Sequence, residues 1–191
     1  MAYLLGSVSS AIIVCRLSGL PDPRSQGSKN PGATNVLRLG GKRLAMITLL
    51  GDALKGFIPV FIVMFIDNDP WVVGSVMVAV FLGHLYPIFF GFEGGKGVAT
   101  FFGVLFGLSA WVGLMVVATW GLVAYIFRMS SLAALTGAFF APIYVGLMLG
   151  IQYAIPVAIM SAFIFWRHRT NIDRIRKGIE PKIGQKKSVT R

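Results

Sequence analysis

From Val98 to Phe127 the chain runs for 30 residues without a charged side chain. Few environments accept such a stretch. It carries more contiguous apolar surface than a soluble domain leaves uncovered, and in a bilayer its backbone must satisfy its own hydrogen bonds, which makes it helical. As one helix it would be roughly 45 Å long, too much for a single span and too little for two full ones. The flanking charges, Lys96 and Arg128, arbitrate. If both lie on one side of the membrane, the chain enters and returns, with a turn near Gly107-Leu108-Ser109 and a short helix of about ten residues before it.

The same reading extends along the chain. Tyr3–Leu17, Leu44–Ile66, Trp71–Phe90, the two halves of Val98–Phe127, Ser131–Gly150 and Gln152–Trp166 are apolar segments separated by polar ones. No basic n-region precedes Tyr3–Leu17, so it reads as a retained helix rather than a secretory signal. Of the 18 Lys and Arg residues, 6 fall between Arg16 and Arg43 and 9 from Arg167 onward, with Lys55, Lys96 and Arg128 between them. None falls in the alternate turns, whereas Asp67 and Asp69 do. Positive-inside asymmetry then predicts an all-α polytopic membrane protein of seven transmembrane helices, some short, with the N-terminus outside and the C-terminus cytoplasmic. Residues 1–191 form one membrane-embedded domain with a basic tail at 167–191. Candidate chemistry belongs to the cytoplasmic face, because the outside turns are minimal.

The net charge of +11 could signal nucleic acid, but a chain that is 55% hydrophobic and only 13% charged is not a nucleic-acid module. The one cysteine, Cys15, allows no intrachain disulfide and reads as packing. Asp52 and Lys55 share a helix face inside a span. Either they neutralise each other as an ion pair or they line a polar cavity. Pro59 is expected to kink the same helix.

Between two apolar runs sits Gly94-Gly95-Lys96-Gly97. Glycines allow consecutive amide N–H groups to point into one concavity, and a helix opening at Val98 would add its positive end beside the Lys96 ammonium. Such a loop can hold a phosphate; a plain turn with a topological lysine is the alternative. It is not a Walker A loop, because Phe90 stands where the first glycine should be and Gly97 where Ser or Thr should be.

Three further cytoplasmic segments carry polar chemistry. Gly27-Ser28-Lys29-Asn30-Pro31-Gly32-Ala33-Thr34-Asn35-Val36-Leu37-Arg38 offers hydroxyls and amides, then an arginine one turn past Asn35 if a helix starts there. Arg128 comes with Ser130 and Ser131. His168, Asn171 and Arg174 recur at one-turn intervals and share a face if the last span continues. Turn and cap residues, a topological arginine and a charged tail are the plainer readings of these three.

GSKNPGATNVLR, then GHLYPIFFGFEGGKGVAT, then RMSSL, then HRTNIDR ending in GIEPKIG, in this order between apolar spans, resembles the bacterial integral-membrane acyl-phosphate:glycerol-3-phosphate acyltransferases, the PlsY type. The resemblance implies transfer of a fatty acyl group from acyl phosphate to the 1-position of glycerol 3-phosphate, giving lysophosphatidic acid and phosphate, the first step of phospholipid synthesis. It implies catalytic roles for Lys96, Arg128, Ser131 and His168, and substrate binding by Ser28, Asn30, Thr34, Asn35, Arg38, Gly94, Gly95, Gly97, Asn171 and Glu180. It implies no cofactor and no metal, a multi-pass place in the bacterial inner membrane with the site facing the cytoplasm, and, as a partner besides the bilayer, the enzyme that makes acyl phosphate. Glu93 departs from the pattern, since Lys is frequent there.

Two rivals remain. His168 and Asp173 spell H-x-x-x-x-D, the signature of a coenzyme-A-dependent acyltransferase family, but after the last span and without that family's downstream motifs. A small transporter of phosphorylated metabolites is the alternative function, and it would use Asp52 and Lys55 as part of its path.

Overall fold

The computed structural model of the chain describes residues 1–184, so the end of the basic tail, residues 185–191, lies outside the described residues. Every regular element described is helical: α1 (Ala2–Gly6), α2 (Ser10–Leu17), α3 (Ala33–Ile66), α4 (Pro70–Leu85), α5 (Val98–Leu108), α6 (Ala110–Phe127), α7 (Ser130–Leu149), α8 (Ile151–Arg167) and α9 (Arg169–Arg176), with a single 3-10 turn at Ile88–Phe90. Four of the described stretches are long and apolar enough to cross a membrane: α3, Pro70–Phe90, α6 and α7. The helices α5 and α8 are apolar but shorter.

The long uncharged run divides into α5 and α6 at Ser109, whose backbone is extended and whose hydroxyl accepts from the Val112 N–H. Other boundaries move. Tyr3–Leu17 is two short helices rather than one, and the Val8 carbonyl in the gap accepts a hydrogen bond from Lys55 Nζ at 2.7 Å. The second span begins eleven residues before Leu44, at Ala33, and its break falls at Gly41 (φ 83°), a conformation natural only to glycine; the backbone stays helical through Pro59. The third helix stops at Leu85 rather than Phe90, because Pro87 cannot continue it.

The core lies around α4, between α5 and α8, with Met77, Phe81, Leu85, Phe101, Leu105 and Met160 fully buried. Leucines and phenylalanines on the outer faces of α3, α6 and α7 stay exposed, as a lipid-facing surface requires. Backbones touch along α3 and α5: a Cβ on Gly103 would sit 1.9 Å from the Ala53 carbonyl oxygen, and one on Gly56 would sit 2.3 Å from that of Thr100. Gly103→Leu is therefore expected to lower the melting temperature of the detergent-solubilised protein by about 10 °C or more. Gly121→Leu, which points into open space, should leave it unchanged.

This packing sets the site. It brings the α4–α5 loop, the α6–α7 junction, the α8–α9 break and the loop before α3 to one end of the helices.

Candidate active site

The glycines of the α4–α5 loop are held by a side chain from α8. Arg167, the last residue of α8, donates from Nη2 to the Gly94 carbonyl at 2.6 Å and from Nε to the Gly95 carbonyl at 3.1 Å. In a trans peptide the N–H points opposite to the C=O, so the amides of Gly95 and Lys96 face away from Arg167. Among the described residues, none of the backbone N–H groups of residues 94–97 donates to another protein group. Gly97, in the left-handed region at φ 84°, caps α5 without a side-chain acceptor, so no side chain caps the helix's first-turn amides.

Lys96 reaches from this loop to the α8–α9 region, where its Nζ donates to Asn171 Oδ1. Asn171 Nδ2 donates to Glu180 Oε1 at 2.6 Å, Ser131 Oγ donates to the same oxygen at 2.6 Å, and Arg174 Nε donates to Glu180 Oε2 at 2.6 Å. One carboxylate thus ties three segments together. Burial acts to raise the Glu180 pKa, but these three donors outweigh it and hold the group below its usual value. The Ile183 N–H donates to the Arg128 carbonyl, which ties the segment after α9 to the α6–α7 junction. The Arg128 side chain itself is exposed, on a residue in the left-handed region.

Burial pushes the Lys96 pKa down to about 8; Arg174, Arg167 and Arg38 push the same way, while Glu180 opposes them. Lys96 is therefore an ammonium at neutral pH but titrates within reach of an assay. Where the ammonium form is the active one, kcat/KM falls as pH rises through about 8. That limb should vanish from the pH profile of Lys96→Arg, whatever its residual rate, because the guanidinium stays charged.

His168 is 4% exposed, at the break between α8 and α9. Its Nδ1 lies 2.8 Å from the Ile164 carbonyl. A carbonyl only accepts, so Nδ1 carries the proton and Nε2 keeps its lone pair. Burial and then the nearby Lys96 push its pKa down to about 4, so the ring stays neutral. Asp173 is exposed, and among the described residues no hydrogen bond or ion pair joins it to His168. The H-x-x-x-x-D spacing has no structural counterpart.

In the first loop the structure assigns a different job to one expected substrate contact. Asn35 is 1% exposed; its Oδ1 accepts from the Ser28 N–H at 2.8 Å, and its Nδ2 donates to the Pro23 and Gln26 carbonyls at 2.8 and 3.0 Å. Its amide shapes the loop and has no donor left over for a ligand. Ser28, Thr34 and Arg38 are exposed and Asn30 is half-buried. Arg38 is close enough to Lys96 to depress its pKa.

Two residues read as mere basic charges prove structural to the site. One is Arg167. The other is Arg24, which donates to the Phe90 carbonyl at 2.9 Å, pairs with Asp22 at 2.7 Å and lies 3.6 Å from Glu93. Glu93 thereby helps join the first loop to the second. Inside the helices Asp52 and Lys55 do pair, at 2.8 Å, and Lys55 also bonds Val8. The pair is buried and engaged with protein groups, Val8 and His84, which removes the main support for a transport path.

Beside Ser131 opens an apolar groove of about 490 Å³ between α7, α8 and α9, lined by Leu132, Leu135, Phe139, Phe165, Ile172 and Ile175 among others. A cationic cluster and an oily groove therefore adjoin.

The glycerol-3-phosphate acyltransferase family model matches residues 1–178. A curated glycerol-3-phosphate acyltransferase of Thioalkalivibrio sulfidiphilus is 58% identical over 186 residues, 97% of this chain and 92% of its own. The crystal structure of PlsY, an integral membrane glycerol 3-phosphate acyltransferase, superposes in its glycerol 3-phosphate form with a TM-score of 0.91 at 40% identity, covering 96% of this chain and 92% of that one. Its lysophosphatidic acid form superposes with a TM-score of 0.88 at 38% identity and the same coverage. With its sequence matched almost end to end and its helices laid out as in those structures, this chain belongs to the glycerol-3-phosphate acyltransferase family and is an integral membrane acyltransferase.

Proposed function

We propose that the protein transfers a fatty acyl group from acyl phosphate to the sn-1 hydroxyl of glycerol 3-phosphate, releasing lysophosphatidic acid and phosphate. The observation that carries this reading is the convergence of Lys96, Asn171, Glu180 and Ser131 in one network beside an apolar groove. Both reactants bear phosphate, and the loop amides, Lys96, Arg38 and Arg128 are the groups that would hold them, with Ser28, Asn30 and Thr34 at the first loop. The groove would take the acyl chain.

The donor is already activated, so the residues need only orient it and stabilise charge. The glycerol hydroxyl oxygen bonds to the acyl carbon, the acyl carbon–phosphate oxygen bond breaks, and inorganic phosphate leaves. Lys96 and the loop amides oppose the charge that develops on the oxygens. The proton goes to a phosphate oxygen rather than His168: a second phosphate pKa near 6 makes that oxygen the better base beside an imidazole held at about 4. His168 then orients. Glu180 holds Ser131 and Asn171 in place.

The topology that suits this chemistry is seven crossings of one domain, N-terminus outside, in the bacterial inner membrane, with the site on the cytoplasmic side, where the enzyme making acyl phosphate would deliver it. Purified protein given acyl phosphate and glycerol 3-phosphate in EDTA should release phosphate and 1-acyl-glycerol 3-phosphate in equal amounts. Product from acyl thioesters but not from acyl phosphate would overturn the donor assignment, and a trapped acyl-enzyme would overturn direct attack.

A further inference from the structure

Beneath the glycine-rich loop lies a second polar cluster, which the transfer chemistry above does not use. His84, in the last turn of α4, is 7% exposed. Its Nδ1 lies 3.2 Å from Thr100 Oγ1 in the first turn of α5 and 3.8 Å from Asp52 Oδ1 in α3. Asp52 is in turn paired with Lys55, whose Nζ bonds the Val8 carbonyl between α1 and α2. The imidazole is thus hydrogen-bonded on one edge to Thr100 of α5, with the Asp52 carboxylate of α3 beside the same nitrogen.

Its other edge faces the loop. A Cβ on Gly95 would stand 2.4 Å from His84 Nε2 and 2.8 Å from the Pro31 carbonyl oxygen. Gly95 is therefore wedged between His84 and the first loop, while Arg167 holds its carbonyl from outside. Any shift of the imidazole moves the Gly95 peptide, and with it the Lys96 amide. A buried histidine that merely packs would not need two polar groups at Nδ1 and a glycine at Nε2.

We infer that His84 is a positioning residue: anchored by Thr100 and Asp52, it sets the Gly95 peptide and so fixes where the loop amides and Lys96 meet a substrate phosphate. This rests on the reading of the loop as the phosphate grip. The effect runs through the loop's geometry, so it belongs to phosphate affinity and not to fold stability.

The test measures three quantities in purified protein: KM for glycerol 3-phosphate, the inhibition constant of inorganic phosphate, and the melting temperature. His84→Asn keeps a polar group for Thr100 and Asp52 but leaves nothing against Gly95. It should raise KM and the phosphate inhibition constant together, by about tenfold, at an unchanged melting temperature. His84→Gln, whose amide reaches the Nε2 position, should recover most of the loss. Thr100→Val removes one anchor without touching Gly95 and should give the same pattern at a smaller size, which keeps the inference testable if a residue 84 variant fails to fold. A lowered melting temperature with both constants unchanged, or a glutamine variant no better than the asparagine one, would overturn the inference and leave the phosphate grip standing. A phosphate inhibition constant unaffected by Lys96→Ala would instead overturn the grip, and the inference with it.

Discussion

Lys96→Ala should lose about a thousandfold in kcat/KM, the size seen when a donor aimed at developing charge is removed from a water-poor site. The loss should fall on kcat and also weaken phosphate binding, because the arginines around the site replace only part of the attraction of an ammonium anchored on Asn171. The fold should persist. Lys96 sits in a loop, and Glu180 keeps its bonds to Ser131, Asn171 and Arg174 without it. Steady-state kinetics beside a melting curve checks both halves. Asp173→Ala, made in parallel, should retain activity, since Asp173 is exposed and, among the described residues, its side chain bonds no group of the site.

Arg167→Ala should lose about a hundredfold, through a different route. The guanidinium bonds two successive carbonyls at 2.6 and 3.1 Å, and it is their orientation that turns the Gly95 and Lys96 amides inward. Freed, the loop can rotate its peptides, and a displacement of about 1 Å is enough for a loss of that order. Arg167→Lys discriminates charge from geometry. A lysine keeps the positive field but cannot fork across two carbonyls, so it should resemble the alanine variant in KM for glycerol 3-phosphate. A lysine variant close to wild type would mean that Arg167 acts as a charge alone.

The helices were legible in the sequence because a bilayer leaves little choice: long uncharged runs must be helical, and one flanked by Lys96 and Arg128 on the same side had to turn near Gly107-Leu108-Ser109. Their ends were less so. The gap after Gly6 depends on what packs across it, and the Lys55 bond to the Val8 carbonyl cannot be seen from either segment alone. Much the same holds for the site. Lys96 and Asn171 stood out because a lysine among glycines and an amide on a basic helix face are unusual where they fall. Arg167 and Arg24 did not, since arginines at the ends of spans are ordinary topological charges, and only the meeting of distant loops gives them carbonyls to bind. Asn35 was visible as a polar group but its direction was not; it faces the carbonyls of its own loop.

The account depends on a phosphate lying at the α4–α5 loop. A crystal structure of this protein with glycerol 3-phosphate measures that directly. It should place phosphate oxygens within about 3 Å of the Lys96 ammonium or of the amides that follow Gly94, with the glycerol hydroxyls directed toward the groove beside Ser131. A phosphate seated instead on the exposed basic residues of α9, well away from Lys96, would contradict it.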